Sequence, residues 1–256
     1  MKMIKVHAIK SLIDNYIWVI QPNNQHAIVI DPGDAGPVIK FLAEKQLEPI
    51  AILVTHKHWD HVDGIEALLQ HKAVPVYGPA NDPVPFLDFP LKSGDTVVFD
   101  QVSLDVLDVP GHTAGHIAYY GHHSLFCGDT LFGAGCGRLL GGTAKQLHNS
   151  INIFNKLDDN IKVYCSHEYT LNNLAFALKV EPDNTNIQIR MDQTQQLRSQ
   201  NLPSLPSTIG LERSTNPFLR CAQTTVIASA ENAAKRPLKT TLDVFTALRA
   251  WKDIVS

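Results

Sequence analysis

Cysteine is scarce, with 4 in 256 residues, and positions 127, 136, 165 and 221 follow no regular spacing. That scarcity excludes a small disulfide-stapled scaffold and a Cys-rich structural zinc site, and it predicts reduced thiols in a cytoplasmic protein. A basic excess is also missing: 22 Lys+Arg face 25 Asp+Glu, a formal charge of -3, so no basic face for a duplex nucleic acid is expected. No stretch reaches the roughly 20 apolar residues of a membrane span. The opening MKMIKVHAIKSLIDNYIWVI is interrupted by Lys5, His7, Lys10 and Asp14, so it does not read as a secretion signal. Neither an internal repeat of fixed period nor a low-complexity tract is found.

What is present is an ordinary globular composition, 44% hydrophobic and 18% charged, in a chain long enough to bury a substantial core. Short β-branched runs punctuated by Gly, Pro and Asp predict strands at 3–8, 16–21, 26–30, 50–54, 74–77, 96–99, 102–108, 117–120, 124–127 and 161–165. Helices are predicted near 36–46 and 63–70, and a third over 144–157, where Thr143 to Gln146 reads as a capping box ahead of Leu147, Ile151, Phe154 and Leu157. The last third changes to helical patterns separated by NLPSLPSTIGLERSTNPF, read as a Pro- and Ser-rich loop. The expected organisation is an α/β domain over 1–168 and a mainly helical one over 169–256.

The segment THKHWDHVDG, residues 55–64, follows the apolar run Ile50 to Val54 directly. A buried strand emerging into a loop at the sheet edge is where α/β folds place their chemistry. His56, His58, Asp60 and His61 offer imidazole nitrogen and carboxylate oxygen, a donor set suited to Zn, Fe or Mn. With 12 His in the chain, three fixed His positions coincide by chance roughly once in ten thousand starting points, so the density is specific.

Three more candidates share that setting: His112 in LDVLDVPGHTAGH, Asp129 in SLFCGDTLF and His167 in IKVYCSHEYT. Alone, each has an ordinary reading as a turn or hydrogen-bonding residue. Together the seven are too many for one tetrahedral zinc and suit two metals with a shared carboxylate. His116 is read as a neighbour of the ligand set, and His7, His26, His71, His122, His123 and His148 as surface or packing residues.

The segments THKHWDHVDG, PGHTAGH, CGDTLF and CSHEYT, in that order, resemble the metallo-β-lactamase superfamily. HEYT with its following Asn, GCGR and the terminal Arg-x-x-Lys-Asp narrow the resemblance to the glyoxalase II (hydroxyacylglutathione hydrolase) family over nearly the whole chain. The resemblance implies a four-layer αββα sandwich with a C-terminal mainly helical, glutathione-binding domain. It also implies hydrolysis of S-(2-hydroxyacyl)glutathione, typically S-D-lactoylglutathione, to glutathione and D-lactate. By the same resemblance, His56, His58 and His112 hold one divalent ion and Asp60, His61 and His167 a second, most simply zinc, with Fe or Mn compatible. Asp129 bridges the two, and Asp60 and Asp129 position a metal-bridging hydroxide. Arg138, Tyr169, Arg249 and Lys252 match glutathione contacts, although Arg249 and Lys252 alone would read as a solvated helix face. Leu140 and Gly141 depart from the family's aromatic and Glu. The implied partner is a small glutathione thioester met by a monomer.

Other superfamily chemistries remain alternatives, a lactonase or another thioesterase first among them. A single-iron dioxygenase would lack the complete second metal site and the Arg-x-x-Lys segment, a nuclease would need a basic surface, and a scaffold that had lost its activity would have lost ligands.

Overall fold

The computed structural model describes residues 4–255, which form two compact units, one of residues 4–108 and 113–128, the other of 109–112 and 129–255. The first unit contains β1 (Lys5–Ser11), β2 (Asn15–Gln21), β3 (His26–Ile30), α1 (Ala35–Lys45), β4 (Glu48–Leu53), α2 (Trp59–Val62), α3 (Ile65–His71), β5 (Val76–Pro79) and β6 (Phe89–Leu91). These six strands form one sheet in sequence order, antiparallel from β1 to β3 and parallel from β3 to β6. The central strands HAIVI and EPIAIL are apolar on both faces and buried on both, as parallel strands covered on two sides must be.

Val38 and Leu42 of α1 and Ile65 and Leu68 of α3 join Ile17, Val19, Val29 and Ile52 in one apolar cluster. Asp34 caps α1 by accepting from the Gly36 amide at 2.9 Å, and Gln46 ends it in a left-handed conformation.

A second antiparallel array in this unit runs through β7 (Thr96–Phe99), β8 (Val102–Asp108), β9 (Ile117–Gly121) and β10 (Ser124–Gly128). Along β8, Val102, Leu104 and Val106 are buried while Ser103 and Asp105 are exposed, the alternation of a sheet with one wet face. The Tyr119 hydroxyl donates to the Val54 carbonyl at 2.8 Å, joining this array to the end of β4. Burial is the main reason its pKa lies well above the ordinary phenol value.

The second unit contains β11 (Leu131–Phe132), β12 (Gly135–Cys136), α4 (Ala144–Phe154), β13 (Lys162–Cys165), α5 (Thr170–Val180), α6 (Thr185–Ser199), β14 (Ser207–Thr208), α7 (Ile209–Thr215), a 3-10 turn (Pro217–Leu219), α8 (Thr224–Ala234) and α9 (Thr241–Val255). The capping box of α4 forms as predicted: Thr143 Oγ1 accepts from the Gln146 amide, and the Gln146 side chain accepts from the Thr143 amide.

The segment read as a loop over 201–218 instead contains β14, α7 and the start of the 3-10 turn. Thr208 caps α7 by accepting from the Leu211 amide, and Asn216 caps the turn by accepting from the Phe218 amide with Pro217 at its first position. Elements this short present no apolar periodicity, so only their caps announce them. α8 escaped prediction for a related reason, since Val226 and Ala230 are its only buried residues.

A fully buried Glu212 organises this unit. It accepts from the Ala134 amide at 2.8 Å, from Arg190 Nη2 at 2.6 Å and from Asn216 Nδ2 at 3.0 Å, while Arg190 Nη1 donates to Thr215 Oγ1 at 2.6 Å. Removing one member of such a pair strands the other charge in a low-dielectric interior. Glu212→Ala is therefore expected to lower the unfolding free energy by about 3–5 kcal/mol, read from the urea midpoint. Lys72→Ala, which breaks the exposed pair with Glu48, should leave that midpoint nearly in place.

Candidate metal centre and anion site

The seven ligand candidates fall into two sets, one in each unit. In the first unit, the chain leaves β4 at Leu53 and enters the loop that carries His56 and His58, with Asp60 and His61 on the single turn of α2. His56 and His61 are completely buried. Gly33 lets another loop run against this turn, since a Cβ there would lie 1.9 Å from the Asp60 carbonyl oxygen.

Hydrogen bonding fixes which nitrogen of His56 carries the lone pair. The Thr55 hydroxyl donates to Asp31 Oδ2 at 2.7 Å and lies 3.1 Å from His56 Nδ1, so that nitrogen is the donor to the hydroxyl. The lone pair of His56 is thereby placed on Nε2, which lies 3.0 Å from His58 Nδ1. His61 Nδ1 lies 3.1 Å from Asp31 Oδ2, and its Nε2 lies 3.6 Å from Asp60 Oδ2. His116, expected beside the ligand set, is buried and stacks on His56 with centroids 4.6 Å apart.

Asp31 and Asn15 were missed from the sequence. Asp31 directly follows the apolar run AIVI, and Asp129 follows SLFC one glycine later, so the rule that found one was able to find the other. Asn15 carried no such signal.

In the second unit, His112, Asp129 and His167 are buried together. His112 Nε2 lies 3.4 Å from Asp129 Oδ2, and His167 Nε2 lies 3.4 Å from Asp129 Oδ1. One carboxylate thus presents a different oxygen to each imidazole. His112 Nδ1 donates to the Arg138 carbonyl at 2.8 Å, an oxygen that can only accept, so the lone pair of His112 sits on Nε2. A Cβ on Gly137 would lie 2.0 Å from the Asp129 carbonyl oxygen, so glycine is required for the chain to pass there.

These donor sets fit divalent metal ions. Two donors on one tetrahedral ion, each about 2.0–2.1 Å from it, are about 3.3–3.4 Å apart. The spacings within each set cluster around that value and are mostly longer than good hydrogen bonds. The inward nitrogens of His56 and His112 carry the lone pairs, and their opposite nitrogens are engaged by the Thr55 hydroxyl and the Arg138 carbonyl, the outer support expected of ligating histidines.

Four further candidates lie in the second unit. Tyr169 stacks on His167 with centroids 4.8 Å apart and planes 4° from parallel. Arg249 and Lys252 do not form a solvated face of α9, being 2% and 8% exposed. Arg249 Nη1 donates to the Cys136 carbonyl at 2.9 Å, Nη2 donates to Asp253 at 2.9 Å, and the guanidinium lies 5.3 Å from the Phe218 ring. Lys252 donates to Asn173 Oδ1 and sits 5.6 Å from the Phe176 ring. Burial, followed by the charge of Arg249, lowers the Lys252 pKa to about 8. Arg138 is largely exposed and lies 4.0 Å from Asp253.

All four cysteines are buried thiols outside any disulfide. Burial raises Cys165 to about 12 and raises Cys136 despite the neighbouring Arg249, so these thiols stay protonated and inert at neutral pH.

Comparison with known proteins agrees with this chemistry. The family profile described as metallo-beta-lactamase superfamily matches residues 13–167, and the one described as hydroxyacylglutathione hydrolase C-terminus matches 168–255. A hydroxyacylglutathione hydrolase from Nitrosomonas europaea is 49% identical over 253 residues, covering 98% of this chain and 96% of its own. One from Aeromonas hydrophila is 52% identical over 258 residues, covering 98% and 100%.

Among solved structures, the BLEG-1 B3 metallo-beta-lactamase superimposes with a TM-score of 0.64 at 26% identity, covering 84% of this chain and 99% of that one. ETHE1 from Myxococcus xanthus gives 0.59 at 28% identity, covering 66% and 76%. The fold is the metallo-β-lactamase α/β fold followed by a helical C-terminal region, and the chain belongs to the hydroxyacylglutathione hydrolase family of the metallo-β-lactamase superfamily.

Proposed function

We propose that this chain hydrolyses S-(2-hydroxyacyl)glutathione thioesters, typically S-D-lactoylglutathione, to glutathione and a 2-hydroxy acid. His56, His58 and His112 would hold one divalent ion, Asp60, His61 and His167 a second, and Asp129 would serve both. The observation that carries this reading is the Asp129 carboxylate, with each oxygen turned toward a different histidine at 3.4 Å. A mononuclear site has no use for that arrangement. Zinc is the favoured occupant, and the same nitrogen and oxygen donors accept Fe or Mn.

Held by these residues, divalent ions would supply Lewis-acid polarisation of the thioester carbonyl and a bound water of lowered pKa. The protein's own part is to hold the donors in register and to bind the rest of the substrate. A glutathione thiol leaves easily, because thiols ionise near pH 8.5 and expulsion needs little proton donation. That accounts for a candidate site without a separate acid. The glycine carboxylate of the substrate suits the neighbouring cations Lys252 and Arg138, with Tyr169 as a flat wall. Arg249 has most of its donors committed to Cys136 and Asp253, so its role is to hold β12 and to place a positive field beside Lys252. Reduced, buried thiols support a cytoplasmic setting, and we place the enzyme there as a monomer.

Purified protein is expected to turn over S-D-lactoylglutathione, followed as loss of thioester absorbance, with about two metals per chain on the same sample. Chelation should abolish turnover and zinc should restore it; two bound metals without turnover would move the substrate elsewhere in the superfamily. Asp129→Ala should lower kcat/KM by more than the roughly 10–100-fold that losing an outer support of a ligand costs.

A pH dependence follows from Lys252. Its charged form attracts the substrate carboxylate, and with a pKa of about 8 that form is lost as pH rises through 8. In the free enzyme kcat/KM should therefore fall on the alkaline side with an apparent pKa near 8, mainly through KM. Lys252→Met should remove that limb and leave KM high throughout, and an unchanged profile in this variant would reject Lys252 as the anion contact.

A further inference from the structure

Asn15 stands at the first position of β2, opposite Ser11 across the hairpin with β1. Leu12 opens the turn between them with a φ of 50°. The hairpin carries Asn15 to the carboxylate turn of α2, where its Nδ2 donates to Asp60 Oδ2 at 2.9 Å and lies 3.5 Å from the Asp60 carbonyl oxygen. The residue is 8% exposed, so this amide is directed inward by the strand and does not belong to a solvated turn. Its orientation is settled by charge, because the opposite flip would set a carbonyl oxygen against a carboxylate.

The bond falls on a specific atom. Asp60 Oδ2 is also the oxygen 3.6 Å from His61 Nε2. An oxygen of a carboxylate has two lone-pair directions, and the amide of Asn15 occupies one. That fixes the rotation of the carboxylate and leaves the remaining direction on the His61 side. A neutral donor does this without competing for the negative charge, as a lysine or arginine in its place would.

We infer that Asn15 is a positioning residue for Asp60, selective for the ion that Asp60 and His61 would share. The inference rests on the two-ion reading above. His56 has its own support in Thr55 and does not depend on Asn15. Loss of the amide should therefore weaken one ion and spare the other, by the roughly 10–100-fold that outer supports of ligands contribute to affinity.

The test is zinc binding to the full-length protein, titrated in competition with a chromophoric chelator, for wild type, Asn15→Ala and the near-isosteric Asn15→Leu. The d–d spectrum of cobalt-loaded samples is recorded in parallel. The expected result is a first equivalent bound as in wild type and a second weakened about 10-fold or more in both variants, with a cobalt spectrum altered only in the second-equivalent bands. Unaltered tight binding of the first equivalent shows that the variant is folded. Two equivalents bound as tightly as in wild type, or equal weakening of both, would overturn the role of Asn15 while leaving two ions in place. A wild-type protein that binds only one equivalent would overturn the two-ion reading, and this inference with it.

Discussion

The carboxylate of Asp31 accepts from the Thr55 amide and the Thr55 hydroxyl, both at 2.7 Å, and lies 3.1 Å from His61 Nδ1. One acidic group thereby ties the end of β3 to the start of the His56 loop and brings it beside the last ligand candidate there, His61. The same contacts set which nitrogen of His56 faces inward, because the Thr55 hydroxyl has its proton committed to Asp31 and must accept from His56. Asp31 holds this position with a φ of 52°, a left-handed conformation that Asp tolerates better than most side chains. Pro32 and Gly33 then keep the chain close, the Pro32 carbonyl accepting from the Gly64 amide at 2.9 Å. Histidine positions within six residues become a usable donor set only when their ring nitrogens are assigned in this way.

In the second unit the equivalent problem is solved twice. Asp129 is held among two imidazoles, and Glu212 among an arginine, an amide and a backbone N–H. A buried carboxylate without such partners would protonate or unfold its surroundings. The two carboxylates differ in what surrounds them. Glu212 meets fixed cationic and amide donors at 2.6–3.0 Å, so its charge is fully used by the fold. Asp129 lies 3.4 Å from His112 Nε2, which carries the lone pair of that ring, and 3.4 Å from His167 Nε2, an arrangement that a cation would complete. The first arrangement is a structural anchor and the second has room for chemistry.

The legible part of the chain was the part with periodic apolar runs and dense ionisable clusters. β3 and β4 announced themselves through the apolar runs HAIVI and Ile50 to Val54, the α4 capping box through Thr143 to Gln146, and the ligand candidates as ionisable residues placed where strands end. What stayed hidden acts by single polar contacts made across long sequence separations. Asn15 reaches Asp60 over 45 residues, and Arg249 reaches Cys136 over 113. Neither has a local pattern, because the partner is supplied by the fold. The burial of Arg249 and Lys252 was equally unreadable, since a helix stripe of i and i+3 cations looks solvated until aromatic rings such as Phe218 and Phe176 are seen beneath it.

The two departures from the family pattern at 140 and 141 have separate physical readings. Leu140 donates its backbone amide to the His112 carbonyl at 2.9 Å, while its side chain is 54% exposed. What residue 140 contributes to the ligand candidate His112 is thus a main-chain bond that any residue except proline supplies, and the change of side chain leaves it intact. Gly141 has a φ of 137°, which L side chains rarely adopt, so a Glu here would be strained. The next residue is no freer: a Cβ on Gly142 would lie 2.4 Å from the Gly111 carbonyl oxygen, directly before His112. Glycine at both positions lets the chain fold closely over the segment that presents His112. The local absence of a charged side chain is therefore coupled to support of the ligand candidate His112, and in the proposed site the cationic contacts would fall to Arg138 and Lys252.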